Sequence, residues 1–250
     1  MKTYDIYFKT GFYDKRYPSP NSNILDKIKA WVKNEKTTAL DYGCGNGRYL
    51  LPISKFENVS SITGFDICET ALTILEKRLK NTTGKKCGEI NLTSDFEDVV
   101  RQTRGEKKIN LALILFGVYS CILDINKRKA ILKQIIDVMD SKNNRLILSA
   151  PNQYRRFWLR QLKHGGSSLT YQRKHDGQTL DFEYKLFNKN EIITELEDAG
   201  FVVLNVQHQS VLSEYQVTHS PFLRGIDKKL RSVLPVSLAY DYVVEATYPG

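Results

Sequence analysis

The feature that most constrains the fold of this chain is sixteen residues long. In ALDYGCGNGRYLLPIS, residues 39–54, an apolar strand end runs into Asp41, then into glycines at 43, 45 and 47, and then into a helix start. Removing Cβ atoms at alternate positions between a strand and a helix permits a tight turn that another group can approach closely. Backbone amides and a helix amino terminus beside such a turn suit an anionic or polar part of a ligand. In open α/β sheets, ligands bind in this place, outside the carboxyl ends of the strands.

Apolar periodicity continues as an alternation of helix and strand, with no internal repeat. Ile24, Leu25, Ile28, Trp31 and Val32 fall at helical spacing and predict a first helix. Strands are predicted at 38–41, 61–65, 89–93, 109–116 and 145–150. Helices are predicted at 48–55, from Ala71 to Leu79, and at 127–139. A helix at 190–199 and strands at 201–207 and 242–247 complete the pattern. The unbroken apolar run at 109–116 is the kind of strand that is covered on both faces. The expected architecture is therefore α/β: a Rossmann-like, doubly wound, mostly parallel seven-stranded sheet with helices on both faces.

Two stretches interrupt the alternation and read as insertions, one after the fifth strand and one before the last. The first, 151–186, carries seven basic residues against three acidic ones with HGGSS in its middle. The second, 208–238, includes LRGIDKKLRSVLP, a basic amphipathic pattern. One domain is expected over 1–250, made of a lead and first helix (1–36), a cofactor-binding core (37–150) and these two substrate or lid segments. The first insertion leaves the sheet at a carboxyl edge, so it is expected to cover the acceptor site, with Gly165 and Gly166 as a hinge.

The ligand can be narrowed from charge. Asp66 ends the second strand, where a carboxylate can accept hydrogen bonds from both hydroxyls of a ribose. A dinucleotide dehydrogenase would want a small residue at the third position of G-x-G-x-x-G, where this chain has Arg48, and no Walker phosphate loop occurs. Asp41 directly before the glycines would repel a pyrophosphate and suit a cation. A ligand with a ribose and a positive charge fits best.

These residues resemble class I S-adenosylmethionine-dependent methyltransferases over roughly residues 37–150. LDYGCGNG is similar to their first motif, and ITGFDICETAL to the second, with Asp66 as the ribose acid. The resemblance implies S-adenosylmethionine as cofactor, with S-adenosylhomocysteine as product. It implies cofactor contacts at Asp41, Gly43, Cys44, Gly45, Asn46, Gly47, Asp66 and Ile67, at Asp95 and Phe96 beside the adenine, and at Phe116 after the fourth strand. Tyr13 and Tyr17 form an expected aromatic lid, since ring faces attract a sulfonium. The chain departs from the family at Asn110, where Asp is frequent, and at Tyr119, Ser120 and Cys121, where paired histidines are frequent. No familiar catalytic base is left, and the candidates for that role are His164, His219 and Tyr119.

In-line methyl displacement asks mainly for alignment in a water-poor pocket, so the acceptor leaves little trace in sequence. Expected acceptor contacts are Tyr119, Tyr154, Arg155 and His164. The four histidines have no metal-ligand spacing, and no metal is expected. The four cysteines are scattered, which suits a reducing compartment. The amino terminus shows no apolar signal segment and the longest apolar run, 111–119, is about half a membrane span, so a cytoplasmic protein is expected. The formal charge of +9 keeps three functions open. They are a methyltransferase for a small molecule or lipid, with contact to an anionic membrane surface; an RNA methyltransferase; and a non-catalytic cofactor-binding regulator.

Overall fold

The computed structural model describes residues 2–81, 88–104, 108–159, 161 and 166–250. Five strands run parallel: β1 (Thr37–Tyr42), β2 (Val59–Phe65), β3 (Glu89–Thr93), β4 (Leu111–Ile114) and β5 (Arg145–Pro151). The sheet is completed by β8 (Val202–Ser210) and β9 (Asp241–Thr247), with β9 antiparallel to both β5 and β8. The order is β3-β2-β1-β4-β5-β9-β8, so the chain reverses direction of travel at β1 and opens a crevice at the carboxyl ends of β1 and β4.

Two separate cores explain why the central strands are apolar without a break. Leu40, Ala112, Ile114, Leu146 and Leu148 face α6 (Phe96–Gln102), α7 (Ile125–Val138) and α8 (Lys189–Asp198). Their neighbours Ala39, Leu111, Leu113 and Ile147 face α3 (Ser22–Asn34), α4 (Leu50–Ile53) and α5 (Glu69–Asn81) on the other side. Strand side chains alternate with period two, so each face must be apolar. On α3 the helical spacing of Ile24, Ile28 and Val32 puts three fully buried side chains on one stripe.

Three local expectations change. The helix expected at 48–55 is reduced to one regular turn, because Pro52 has no N–H to give to the Arg48 carbonyl. The lead, to which no helix was assigned ahead of the one at Ile24–Val32, is helical: α1 (Lys2–Lys9) and α2 (Phe12–Arg16) precede α3. Residues 168–185, for which no strands were expected, are a hairpin of β6 (Ser168–His175) and β7 (Gln178–Lys185). Its turn is Asp176–Gly177, both at positive φ (46° and 75°), the geometry a two-residue hairpin turn needs. Leu180 and Phe182 on its inner face are buried against Tyr7 of α1, with Tyr4, Phe12 and Tyr13 around them. The second insertion is α9 (Glu214–His219) followed by α10 (Pro221–Val233). Of the two hinge residues expected in the first insertion, Gly165 lies outside the described residues, and Gly166 stands at φ 83° with open space around a Cβ position.

Candidate active site at the carboxyl edge of the sheet

The glycine loop is held by hydrogen bonds within the chain. Gly43 and Cys44 donate their backbone N–H groups to the Phe65 carbonyl at 2.7 and 3.0 Å. Gly45 donates to Asp66 Oδ2 at 2.7 Å, and Cys68 donates to Asp66 Oδ1 at 2.8 Å. These amides are therefore engaged, which corrects the expectation that they stand exposed for an anion. The glycines still serve close approach. A Cβ on Gly43, at φ 78°, would lie 2.5 Å from Val118 Cγ2, and one on Gly47, at φ 87°, would meet Leu75. At Gly45 the neighbour is the ring of Phe8, 3.1 Å from such a Cβ. The protein's own side chains, rather than a ligand, fill the space left by Gly43 and Gly47.

Acid is left uncompensated beside this loop. Asp41, at the end of β1, is only 3% exposed, and its Oδ2 has no hydrogen-bond partner. Burial first, and the Asp66 carboxylate second, push its pKa up to about 7. Burial also raises Asp66, against the opposing effect of its two amide donors. Ile67, the next residue, leaves 61% of an apolar side chain exposed on the same edge.

An aromatic roof covers the loop. Phe8 lies 4.8 Å from Tyr13, Tyr13 5.7 Å from Tyr17, and Tyr17 4.4 Å from Phe116, measured between ring centroids. Phe116 is held at φ 55°, and its N–H donates to Ser149 Oγ at 2.6 Å. The buried Arg48 guanidinium sits 4.1 Å from the Phe116 ring and pairs at 2.6 Å with the equally buried Glu214 of α9. Phe8, against Gly45, and Glu214, against Arg48, contact the candidate site and were missed. Tyr4, Tyr7 and Phe8 at helical spacing were the available signal for α1; nothing local marks Glu214, which lies 166 residues from Arg48.

Other expected site residues are engaged by contacts within the chain. Asn46 is fully buried and donates to Asp14 of α2, and Cys44 is buried against Gly64. Asp95 caps α6 by accepting from the Glu97 N–H, and Phe96 packs edge-on against Phe65. Tyr119 is a correction. It has no exposed surface, its hydroxyl donates to Glu195 Oε2 at 2.6 Å, and burial with that carboxylate raises its phenol, so it reaches neither acceptor nor proton. His219 is exposed, with both ring nitrogens at backbone carbonyls, Tyr215 O and Lys15 O. His164 lies outside the described residues.

A cavity of about 390 Å³ opens between α2, the hairpin and α9, lined by Tyr17, Arg156, Tyr171, Arg173, Glu214 and their neighbours. Arg156 is in it and Arg155 is exposed outside it, so the basic side chain expected here is displaced by one residue. Tyr154 lines a different cavity, of about 320 Å³, with Pro235 and Val236. Among the described residues no group of three His, Cys, Asp or Glu could hold a metal ion, and no helix is long and apolar enough to cross a membrane.

No family model matches the chain, and no curated protein matches it. Solved structures do. An S-adenosylmethionine-dependent methyltransferase from Clostridium acetobutylicum is 13% identical, with TM-score 0.60, covering 100% of this chain and 98% of that one. Magnesium protoporphyrin IX methyltransferase (ChlM) from Synechocystis, solved with S-adenosylhomocysteine bound, is 16% identical with TM-score 0.58, covering 98% and 97%. The glycopeptide N-methyltransferase MtfA is 12% identical with TM-score 0.59, covering 92% and 91%. Identities this low carry architecture alone, and the architecture is that of the class I S-adenosylmethionine-dependent methyltransferases.

Proposed function

We propose that this chain is an S-adenosylmethionine-dependent methyltransferase that methylates an oxygen or nitrogen of a small-molecule acceptor, in the cytoplasm. The observation that carries the reading is the orphaned Asp41 carboxylate. A buried carboxylate without a partner is unfavourable, and a cationic ligand group would relieve it. The residues present fit the cofactor in other respects. Asp66 offers a carboxylate for the ribose, Ile67 an apolar surface beside it, and Tyr13 a ring face for a sulfonium, while the Tyr17 and Phe116 rings already carry the Arg48 guanidinium.

When bound, S-adenosylmethionine supplies a methyl carbon on a sulfonium, a leaving group that needs no protein acid. The residues of the chain then have two tasks. Phe8, Tyr13, Tyr17 and Phe116 keep water from the loop, and the cavity beside Tyr17 holds the acceptor in line. The proton of an oxygen or nitrogen nucleophile passes to solvent or to a base on the acceptor. Among the described residues the histidine rings are otherwise engaged, with His208 at the Pro235 carbonyl and His175 stacked on Phe12.

Titration calorimetry with S-adenosylmethionine is the test. Binding to the wild type and at least tenfold weaker binding to a folded Asp41→Asn variant are expected. No binding by the wild type, or equal binding by the variant, would refute the reading.

A second reading, contact with an anionic membrane surface, is favoured by α10. The only buried residue of that helix is Asp227, while Phe222 and Val233 are 76% and 75% exposed beside Lys228 and Lys229. Sedimentation with anionic and with neutral vesicles at two salt concentrations decides it.

A further inference from the structure

We infer that the cavity beside Tyr17 holds the acceptor by an anionic group, and that the acceptor is a small molecule bearing a carboxylate or phosphate on a flat unsaturated frame. This rests on the methyltransferase reading and extends it to a substrate class.

Charge around the cavity does not balance. Arg16 donates from Nε to the Tyr17 hydroxyl at 3.1 Å and lies about 5.4 Å from the Tyr215 ring centroid. Arg173 lies 4.8 Å from the Tyr171 ring centroid. Both are half-buried, and among the described residues no carboxylate is in ion-pair contact with either. Arg156 pairs with Asp241 at 3.1 Å, yet its buried Nε has no hydrogen-bond partner. The one acid among the described lining residues, Glu214, is already engaged by Arg48 at 2.6 Å, Asn21 Nδ2 at 2.8 Å and Gln209 Nε2 at 3.1 Å.

Guanidiniums partly withdrawn from water without counter-charge are unfavourable until an anion completes them. Their planar fork matches a carboxylate or phosphate at two points, which lysines would not do. The Tyr171 and Tyr240 rings supply walls for a flat frame. The volume, about 390 Å³, lies in the range of small-molecule sites, roughly 300–1,000 Å³, and is too small for a folded RNA. Position agrees: Tyr17 touches Phe116 at the carboxyl end of β4, and Glu214 reaches the glycine loop through Arg48.

The probes are benzoate, phenyl phosphate, benzyl alcohol and benzylamine, followed by saturation-transfer NMR and titration, with S-adenosylmethionine affinity measured separately on every sample. Benzoate or phenyl phosphate is expected to bind at least tenfold more tightly than benzyl alcohol, with benzylamine weakest. The double variant Arg16→Gln, Arg173→Gln is expected to lose at least tenfold of that affinity at an unchanged melting temperature, and Arg16→Lys, Arg173→Lys to recover part of it. Asp41→Asn, defective only toward the cofactor, is expected to keep it, so failure of the cofactor reading and failure of the anion site are told apart. Either order of benzoate and phenyl phosphate supports the proposal and names the anion. Equal binding of benzyl alcohol, anion binding that survives the double glutamine variant, or tighter competition by a 20-residue oligouridylate than by phenyl phosphate would overturn it.

Discussion

The glycine-loop edge and the roof above it meet at Tyr17 and Arg48, and they leave charge of opposite sign uncompensated. At the loop, Asp41 is buried without a partner and Asp66 lies close enough to raise it further. Across the roof, Arg16 and Arg173 face a cavity where the only acid among the described lining residues is taken. Two such imbalances within one fold point to two ligands, a cation held from below and an anion held from above. On the function proposed above they also divide the labour, with the sheet side fixing a group common to many reactions and the added segments choosing the acceptor.

The sharpest way to break this division is Asp66→Ala. It removes a carboxylate that takes two loop amides as well as the expected ribose contact, and cofactor affinity should fall by roughly 2–4 kcal/mol, 30- to 1,000-fold. Benzoate affinity should stay within twofold. Calorimetry with both ligands reads the two effects, and parallel losses would mean that loop and roof form one site.

Gly117→Ala strikes the roof instead. At φ 84° a Cβ there would collide with the Tyr184 hydroxyl of the hairpin. Strain and displacement together should destabilise the chain by about 2 kcal/mol, read by urea unfolding. Faster amide exchange across 178–185 than across β1 and β4 is expected; uniform acceleration would show that the hairpin is not a separable unit.

The pH dependence of Asp41 is next in size. Its folded pKa of about 7 lies above the ordinary 3.8. Between those values the folded chain keeps a proton that the unfolded chain has released. Stability from this group is thus greatest below about pH 4, declines as pH rises to about 7, and is level above. A cation at Asp41 needs the ionised form, so cofactor affinity should run the other way, rising up to about tenfold per unit from pH 5 to 7. Asp41→Asn should flatten both slopes; an unchanged affinity slope would place the titrating group elsewhere.

How much of this could be read in advance divides along the same line. The sheet side was legible because its signals are local and periodic. Examples are the alternation of Leu111, Ala112, Leu113 and Ile114 between two cores, the acid-glycine turn, and the helical stripe of Ile24, Ile28 and Val32. Even there the glycines were assigned to a ligand when Val118 and Leu75 fill the space, because those partners lie far away in sequence. The roof was less legible for the same reason. Asp176–Gly177 between alternating residues announces a hairpin, but Arg48 with Glu214, or Tyr7 with Phe182, are pairings only the tertiary fold creates. Tyr119 misled because a turn after β4 was assumed to face the crevice, whereas Glu195 on α8 draws it into the core.

The smallest expected effect concerns what fastens roof to loop. Asp14 of α2 accepts from Asn46 Nδ2 at 2.9 Å and pairs with Arg78 of α5 at 2.5 Å, with both charged side chains about a third exposed. A pair this accessible to solvent contributes only about 0.2–1 kcal/mol. Phe8 against Gly45 is untouched by its loss. Asp14→Asn should therefore lower stability by no more than about 1 kcal/mol. If α2 must lift for the cofactor to pass, the weakened latch speeds entry and exit alike: association and dissociation rates both rise, by up to about fivefold, while Kd stays within twofold. Surface plasmon resonance with immobilised protein measures both rates. A changed Kd with an unchanged association rate would make Asp14 part of the cofactor site, and the boundary between the two regions would then run through α2 and not beneath it.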